Sequence, residues 1–498
     1  MSPSSCLART RLWRKLGATL GMTAATLGIL AIPSPAPPSP AAAAGIPFAW
    51  RQDSRWHELE HRFVAARAAG CAAVTPAIDT GLARLASLTD TLATEAVAAS
   101  DLRLDEAERV LFETAPLVAA CPAHLTALAR MQARLRDDTK QQSRHWDMGS
   151  RPVRDRLYRV LYGGRAAVEE AILQATRGAL PALLPGEDVP SQSPGTEVRG
   201  MRVHSGDLLL SRGTAPTSAL IARGNDYPGN FSHVALLNVE REGGPARLVE
   251  AHIERGVAIA TTQAYLADAK FRILVLRLRA DLPALAGDPL LPHRAASRAI
   301  AETTSRHIPY DFAMDFADPS RLFCSEVASW AYREEGVTLW MGLSHISSPG
   351  LARWLRAFGV THFETQEPSD LEADPQLAVV AEWRDLEGLW QDHVDNAVVE
   401  SMLEGAEQGR SLDYSWYLLP VARLAKAWSA VCHLFGRAGQ VPEGMSAEGA
   451  LRNRTLSLRH AALKRRTLEL VARFETQHGY RPPYWQLVRL ARDADPAP

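Results

Sequence analysis

The sequence predicts a chain that is helical at both ends and strand-rich in the middle. Three observations predict it. Apolar residues recur at helical spacing from Trp50 to about Leu184. After Gly200 the texture changes to short apolar runs separated by turn residues. Beyond about Gly359 the helical spacing returns.

Composition sets the outer bounds. At ~150 residues per domain, a chain of 498 residues allows about three domains and a sizeable core. Hydrophobic residues make up 46% and charged residues 22%, the balance of a globular protein rather than a disordered or multi-span one. Lys+Arg number 55 against 56 Asp+Glu, so no basic footprint for nucleic acid exists.

The elements follow in order. Residues 1–44 read as a secretory signal or N-terminal anchor. Arg9, Arg11, Arg14 and Lys15 precede the apolar run Leu16 to Ile32, and a small-residue stretch Ala41 to Ala44 follows. This predicts an exported protein of the periplasm or cell envelope, close to the membrane. Residues 45–184 form a helical domain, with helices over Trp56 to Ala69, Gly81 to Ala99, Leu104 to Ala119 and Val153 to Ala179. Asp101 is placed to cap one of them. Cys71 and Cys121 both fall here; they either pair, as export allows, or stay as buried thiols. Residues 185–197 are a linker by composition.

Residues 198–360 carry the strands. Runs over 206–211, 232–239, 248–253, 257–260 and 272–278 read as strands, and Glu242-Gly-Gly-Pro245 as a hairpin turn. Helices follow over Pro292 to Ser305 and Cys324 to Glu335, the second stopped by Gly336. Residues 361–498 are a helical region with helices over Trp383 to Gly405, Trp416 to Phe435 and Leu456 to His478. Its tryptophans Trp383, Trp390, Trp416 and Trp428, with Trp485, read as packing between helices; the sharper alternative is a groove for a ligand or the membrane surface.

Two sets of residues could carry chemistry. His57-Glu58-Leu59-Glu60-His61 matches the two-histidine zinc helix with its glutamate base. Glu60 puts a charge inside the motif, and Asp79, Asp90 and Glu95 supply no patterned third ligand, so the sequence assigns no metal and no cofactor. The second set is distributed. His233 starts an apolar strand, Glu250 lies on the next, and Cys324 starts a helix. Singly, each has an ordinary structural reading. Together they are the parts of an activated thiol: a cysteine at a helix N-terminus, an imidazole base, and a third group to fix the imidazole. His252, two residues beyond Glu250, faces the same side and is the reserve for that third role.

These residues carry a resemblance. Gly206-Asp207-Leu208-Leu209 with Ser211-Arg212-Gly213, Phe231-Ser232-His233-Val234, Val249-Glu250-Ala251 with Gly256-Val257, Pro309-Tyr310-Asp311 and Phe323-Cys324-Ser325-Glu326 resemble the permuted papain-like amidases of the YaeF/YiiX type. These are circularly permuted relatives of NlpC-type cell-wall peptidases, in which the histidine strand precedes the cysteine helix. The resemblance covers about Val198 to Gly359. It implies an α+β papain-like (NlpC-like) domain, with a small antiparallel sheet packed on the nucleophile helix. It implies Cys324 as nucleophile, His233 as base and Glu250 as the polar third group, with Tyr310 and Asp311 near the site in unassigned roles. The departure is Arg212 to Asn230, an insertion that is either a mobile lip over the site or a surface loop.

The function expected is a cysteine amidase or peptidase acting through a thioester on peptide amides of the cell envelope. The rival uses the same cysteine on a lipid ester or acyl group, and an apolar pocket beside Cys324 would favour it. A third reading is an inactive binding protein of the envelope. The partner in the first two is a peptide- or lipid-derived amide or ester, not nucleic acid.

Overall fold

The computed structural model describes residues 28–34, 45–50, 53–176, 178–340, 344–435, 437 and 439–495. The expected leader lies outside the described residues except for 28–34.

Six helices open the fold: α1 (Asp53–Ala69), α2 (Cys71–Thr94), α3 (Leu102–Ala120), α4 (Leu125–Ser143), α5 (Arg151–Tyr158) and α6 (Gly164–Leu173). The Asp101 carboxylate accepts from Arg103 N–H at 2.9 Å and caps α3 as expected. α2 starts at Cys71, ten residues before the expected Gly81, and runs through Pro76, which removes one backbone N–H from its ladder. Cys71 and Cys121 are joined by a disulfide with Cα atoms 5.2 Å apart.

The middle of the chain holds a seven-stranded antiparallel sheet. Its strands are β1 (Leu183–Pro185), β4 (Leu208–Gly213), β5 (His233–Val239), β6 (Ala246–His252), β7 (Gly256–Thr261), β8 (Lys270–Leu278) and β11 (Leu377–Arg384), ordered β1-β11-β8-β4-β5-β6-β7. Two hairpins stand beside it: β2 (Gly195–Val198) with β3 (Met201–His204), and β9 (Ser344–His345) with β10 (Glu364–Thr365). The turn at Glu242–Pro245 connects β5 and β6, with Gly243 at φ 69°.

Alternation along the strands sorts the two faces. Leu208, Leu210, Val234, Leu236, Leu274 and Leu276 pack on α9 (Leu291–Ser305) and α10 (Cys324–Glu334). Leu209, Ala235, Leu237, Leu248 and Val275 pack on the β2–β3 hairpin and on Tyr265 of α8 (Thr262–Ala267).

Several boundaries differ from the expected ones. Residues 183–185, read as the edge of a linker, pair with β11 at the sheet's rim, where Pro185 is tolerated. Trp383 belongs to β11, not to a helix; Asp385 caps the helix that follows by accepting from Gly388 N–H at 2.7 Å. The sheet therefore draws strands from outside 198–360. Within the insertion 212–230, α7 (Pro216–Arg223) is a helix whose Ala219, Leu220 and Arg223 are buried, so this segment is packed structure rather than a surface loop.

The two helical regions form one body. α11 (Pro349–Phe358), α12 (Leu386–Glu407), α13 (Leu419–Leu434), α14 (Ala447–His478) and α15 (Tyr484–Ala494) complete the chain. Leu85, Leu111 and Val168 share a core with Val394, Leu463 and Leu487, and Trp56 stacks on Trp485 with ring centroids 5.7 Å apart. Buried charges tie this body to the sheet. Asp392 of α12 accepts from Arg272 at 2.7 Å and faces Arg212 Nε at 3.2 Å, while Arg272 also bonds Glu169 at 2.6 Å. All four side chains are at most 2% exposed, so each charge depends on the others for its solvation.

Candidate active site

β5 and β6 separate where the site forms. They pair only from Leu236 to Val239, which leaves the start of β5 without a neighbour on that side. Here the first turn of α10 arrives. Cys324 Sγ donates to the Ser232 carbonyl at 3.8 Å and receives the Val234 N–H. Both groups lie on one edge of the strand, on either side of His233. The sulfur therefore meets β5 at its edge, while the body of α10 covers the sheet's face.

Glu250 sits on β6 just past the paired segment and reaches across to His233. Its Oε2 lies 2.6 Å from His233 Nε2. Its Oε1 lies 3.0 Å from His252 Nε2, a close ion-pair contact that is off hydrogen-bond alignment. Burial alone would raise the Glu250 pKa, but the two imidazoles outweigh it and hold the carboxyl well below its usual range. With Nε2 of His233 committed to Glu250, Nδ1 is the ring nitrogen left for proton exchange.

The thiol differs from expectation. A helix N-terminus lowers a thiol pKa, and the N–H groups of Cys324 and Ser325 do point at the sulfur. Burial dominates, however, and with the nearby Glu367 it pushes Cys324 up to about 12. Cys324 is 5% exposed. At rest the buried Cys324 side chain is thus a neutral thiol.

Tyr310 and Asp311 take different places. Tyr310 lines the pocket beside Cys324, and burial, reinforced by that thiol, raises its phenol well above the ordinary value. Asp311 also lines it but is committed to its own loop, accepting from Ala313 N–H at 2.9 Å and Asp315 N–H at 2.5 Å. Glu326, in the first turn of α10, accepts from Phe323 N–H at 2.9 Å, and burial pushes its carboxyl up to about 9.

The pocket encloses about 110 Å³ and is apolar, with Ile221, Ile253, Phe312, Phe323, Ile346 and Met445 on its walls. Glu367 is its buried acid. Burial first, then Asp370, raises that carboxyl well above its usual range. Sequence reasoning missed Glu367, which stands in no motif, and missed Met445 and Asn453, which come from more than a hundred residues beyond Cys324.

The zinc-like pattern serves packing. His57 and His61 are exposed on α1, and His57 lies 2.9 Å from Arg489. Glu60 accepts from the Tyr480 hydroxyl at 2.9 Å and from Trp485 Nε1 at 3.2 Å, pinning α1 to the C-terminal helices. Among the described residues, no group of three or more His, Cys, Asp or Glu side chains is arranged to hold a metal.

The fold and site thus define a mixed α+β chain with an antiparallel sheet, in which a histidine strand precedes a cysteine helix. No protein-family model matches the chain, and neither does any curated protein. Among solved structures the chain is similar to the metalloprotein YiiX (DUF1105) of Escherichia coli O157:H7, the type named above from the motifs. The two are 20% identical, with a TM-score of 0.28. The match covers 36% of this chain and 97% of that one.

Proposed function

We propose that the protein is a cysteine acyl hydrolase or acyltransferase in which Cys324 forms a thioester with an apolar acyl group. One arrangement carries the proposal. The Cys324 thiol bonds the Ser232 carbonyl, next to His233 on β5, His233 is paired with Glu250, and the thiol opens on an apolar pocket. Of the two substrates expected, that pocket favours the lipid-like acyl group.

His233 Nδ1 takes the proton from Cys324 Sγ as the sulfur attacks the carbonyl carbon, so no standing thiolate is needed. Charge on the carbonyl oxygen develops toward N–H groups at the start of α10. The carbon–oxygen or carbon–nitrogen bond breaks, and the proton on Nδ1 passes to the leaving atom. Water, or an acceptor hydroxyl, then attacks the thioester, giving its proton to Nδ1 and at the end returning one to Sγ. Glu250 keeps Nε2 protonated and stabilises the imidazolium.

The second reading is hydrolysis of a cell-envelope peptide amide, and it is supported by the motif resemblance. p-Nitrophenyl esters of graded chain length, assayed beside dipeptide amides, separate the two. Turnover is expected to rise with acyl length and to vanish in Cys324→Ala and His233→Ala. Full activity in Cys324→Ala would overturn both readings.

A further inference from the structure

α13 carries an apolar stripe on its outer side. Tyr417, Val421, Leu424, Trp428, Val431 and Phe435 follow one another at helical spacing, and Trp416 stands at its start. They are 63%, 66%, 57%, 64%, 41%, 76% and, for Trp416, 65% exposed. The sequence reading assigned Trp416 and Trp428 to packing between helices; both are instead largely exposed, and Trp416 meets Tyr417 edge-on with ring centroids 6.4 Å apart. With aromatic side chains carrying roughly 150–250 Å² each, the stripe exposes on the order of 800 Å², above the ~300–600 Å² of the largest patch on an ordinary monomer.

The helix's cations are turned away from this face. Arg423 bonds Glu448 at 2.8 Å, and Lys426 donates to the Pro442 carbonyl at 2.8 Å. Leu419 and Ala422 pack on Ala447 and Leu451 of α14. The stripe is thus apolar and uncharged, with aromatic rings at both ends and at Trp428 and aliphatic residues between them, the composition of a helix lying in a bilayer interface.

A second observation selects lipid over a protein partner. Residues 28–32 are the end of the apolar run Leu16 to Ile32, and Arg423 holds them against α13 through the Leu30 carbonyl at 3.1 Å. Ile29 and Ile32 are 68% and 62% exposed there. The helix that carries the stripe therefore also holds the end of the chain's hydrophobic segment, on the flank where Arg423 lies. Among the described residues no helix is long and apolar enough to cross a membrane, so α13 would lie along the surface rather than span it.

We infer that α13 docks the protein on a lipid bilayer, with the Trp416–Phe435 stripe buried at the headgroup–acyl boundary. This does not depend on the chemistry of Cys324, but it bears on it. The segment after α13 folds back to the active site: Glu443 pairs with His307 at 2.8 Å, and Met445 lines the Cys324 pocket. A docked α13 holds that pocket at the membrane surface.

The test uses the full chain and vesicles of phosphatidylethanolamine and phosphatidylglycerol with brominated acyl chains. Bromine is expected to quench wild-type tryptophan emission, and Trp416→Phe/Trp428→Phe to lose most of that quenching. Leu424→Glu/Trp428→Glu is expected to lower vesicle partitioning at least ~10-fold, while Leu458→Glu, on an exposed position of α14, leaves it unchanged. Equal quenching in wild type and Trp416→Phe/Trp428→Phe would overturn the inference. So would a lipid-free dimer in sedimentation equilibrium that Leu424→Glu/Trp428→Glu dissolves, since the occupant would then be a second copy.

Discussion

Alkylation of Cys324 across pH is expected to report a thiol that ionises only near pH 12. At pH 7.5 a thiol with a pKa of about 12 is ionised to about 3 × 10⁻⁵, against about a tenth for an ordinary cysteine at ~8.5. That is roughly 3,000-fold less thiolate. The more basic thiolate is the better nucleophile, and a Brønsted slope of ~0.4–0.5 returns about 40-fold. Iodoacetamide should therefore label native Cys324 about 100-fold more slowly than Cys324 in the denatured chain, and its 5% exposure slows the reagent further. Peptide mass spectrometry separates it from Cys432, the other free cysteine among the described residues. His233→Ala should leave the resting rate nearly unchanged while abolishing turnover, because the imidazole acts on the proton only during attack. A native rate within ~3-fold of the denatured one, or an inflection below ~8.5 that His233→Ala removes, would refute this reasoning and restore a preformed ion pair.

Glu250→Gln keeps the shape of the His233 contact but not its charge, and should lower kcat/KM about 10-fold. It should also change acid stability. Because the Glu250 pKa is depressed in the fold, its contribution is present above the ordinary 4.5 and is lost as pH falls through the folded value. Wild type should thus lose on the order of 2 kcal/mol more than Glu250→Gln as pH falls below 4.5 in urea titrations. Asp392→Ala leaves Arg212 and Arg272 buried without their shared carboxylate, and should cost about 3–5 kcal/mol by denaturant midpoint. Replacing Cys71 and Cys121 with alanine opens a link spanning 50 residues and should cost about 4 kcal/mol in the same assay.

Strands β4 to β8 were legible as short apolar runs, near-continuous because both faces of the sheet are covered, with Gly206, Gly243 and Gly256 marking turns between them. His233 begins β5, Glu250 lies two residues before the end of β6, and Cys324 begins α10, so each candidate stood at or near an element boundary in the sequence. β1 was not, since three residues ending in Pro185 become a strand only when β11 lies beside them. α11 carried a signal that went unread: Ser348 accepts from Leu351 N–H, with Pro349 next in the first turn. The shared core of the two helical regions joins residues more than 400 positions apart, such as Trp56 and Trp485, and no local pattern encodes that. The Cys324 pKa reversed sign because burial, a tertiary property, outweighed the helix N-terminus visible in the sequence.

The central claim is that Cys324 becomes acylated. Intact-protein and peptide mass spectrometry after brief exposure to a long-chain p-nitrophenyl ester tests it most directly. The account predicts one acyl group on Cys324, released by hydroxylamine and absent in His233→Ala. An unmodified Cys324 in a chain that still turns the ester over, or an adduct on Cys432 alone, would contradict it.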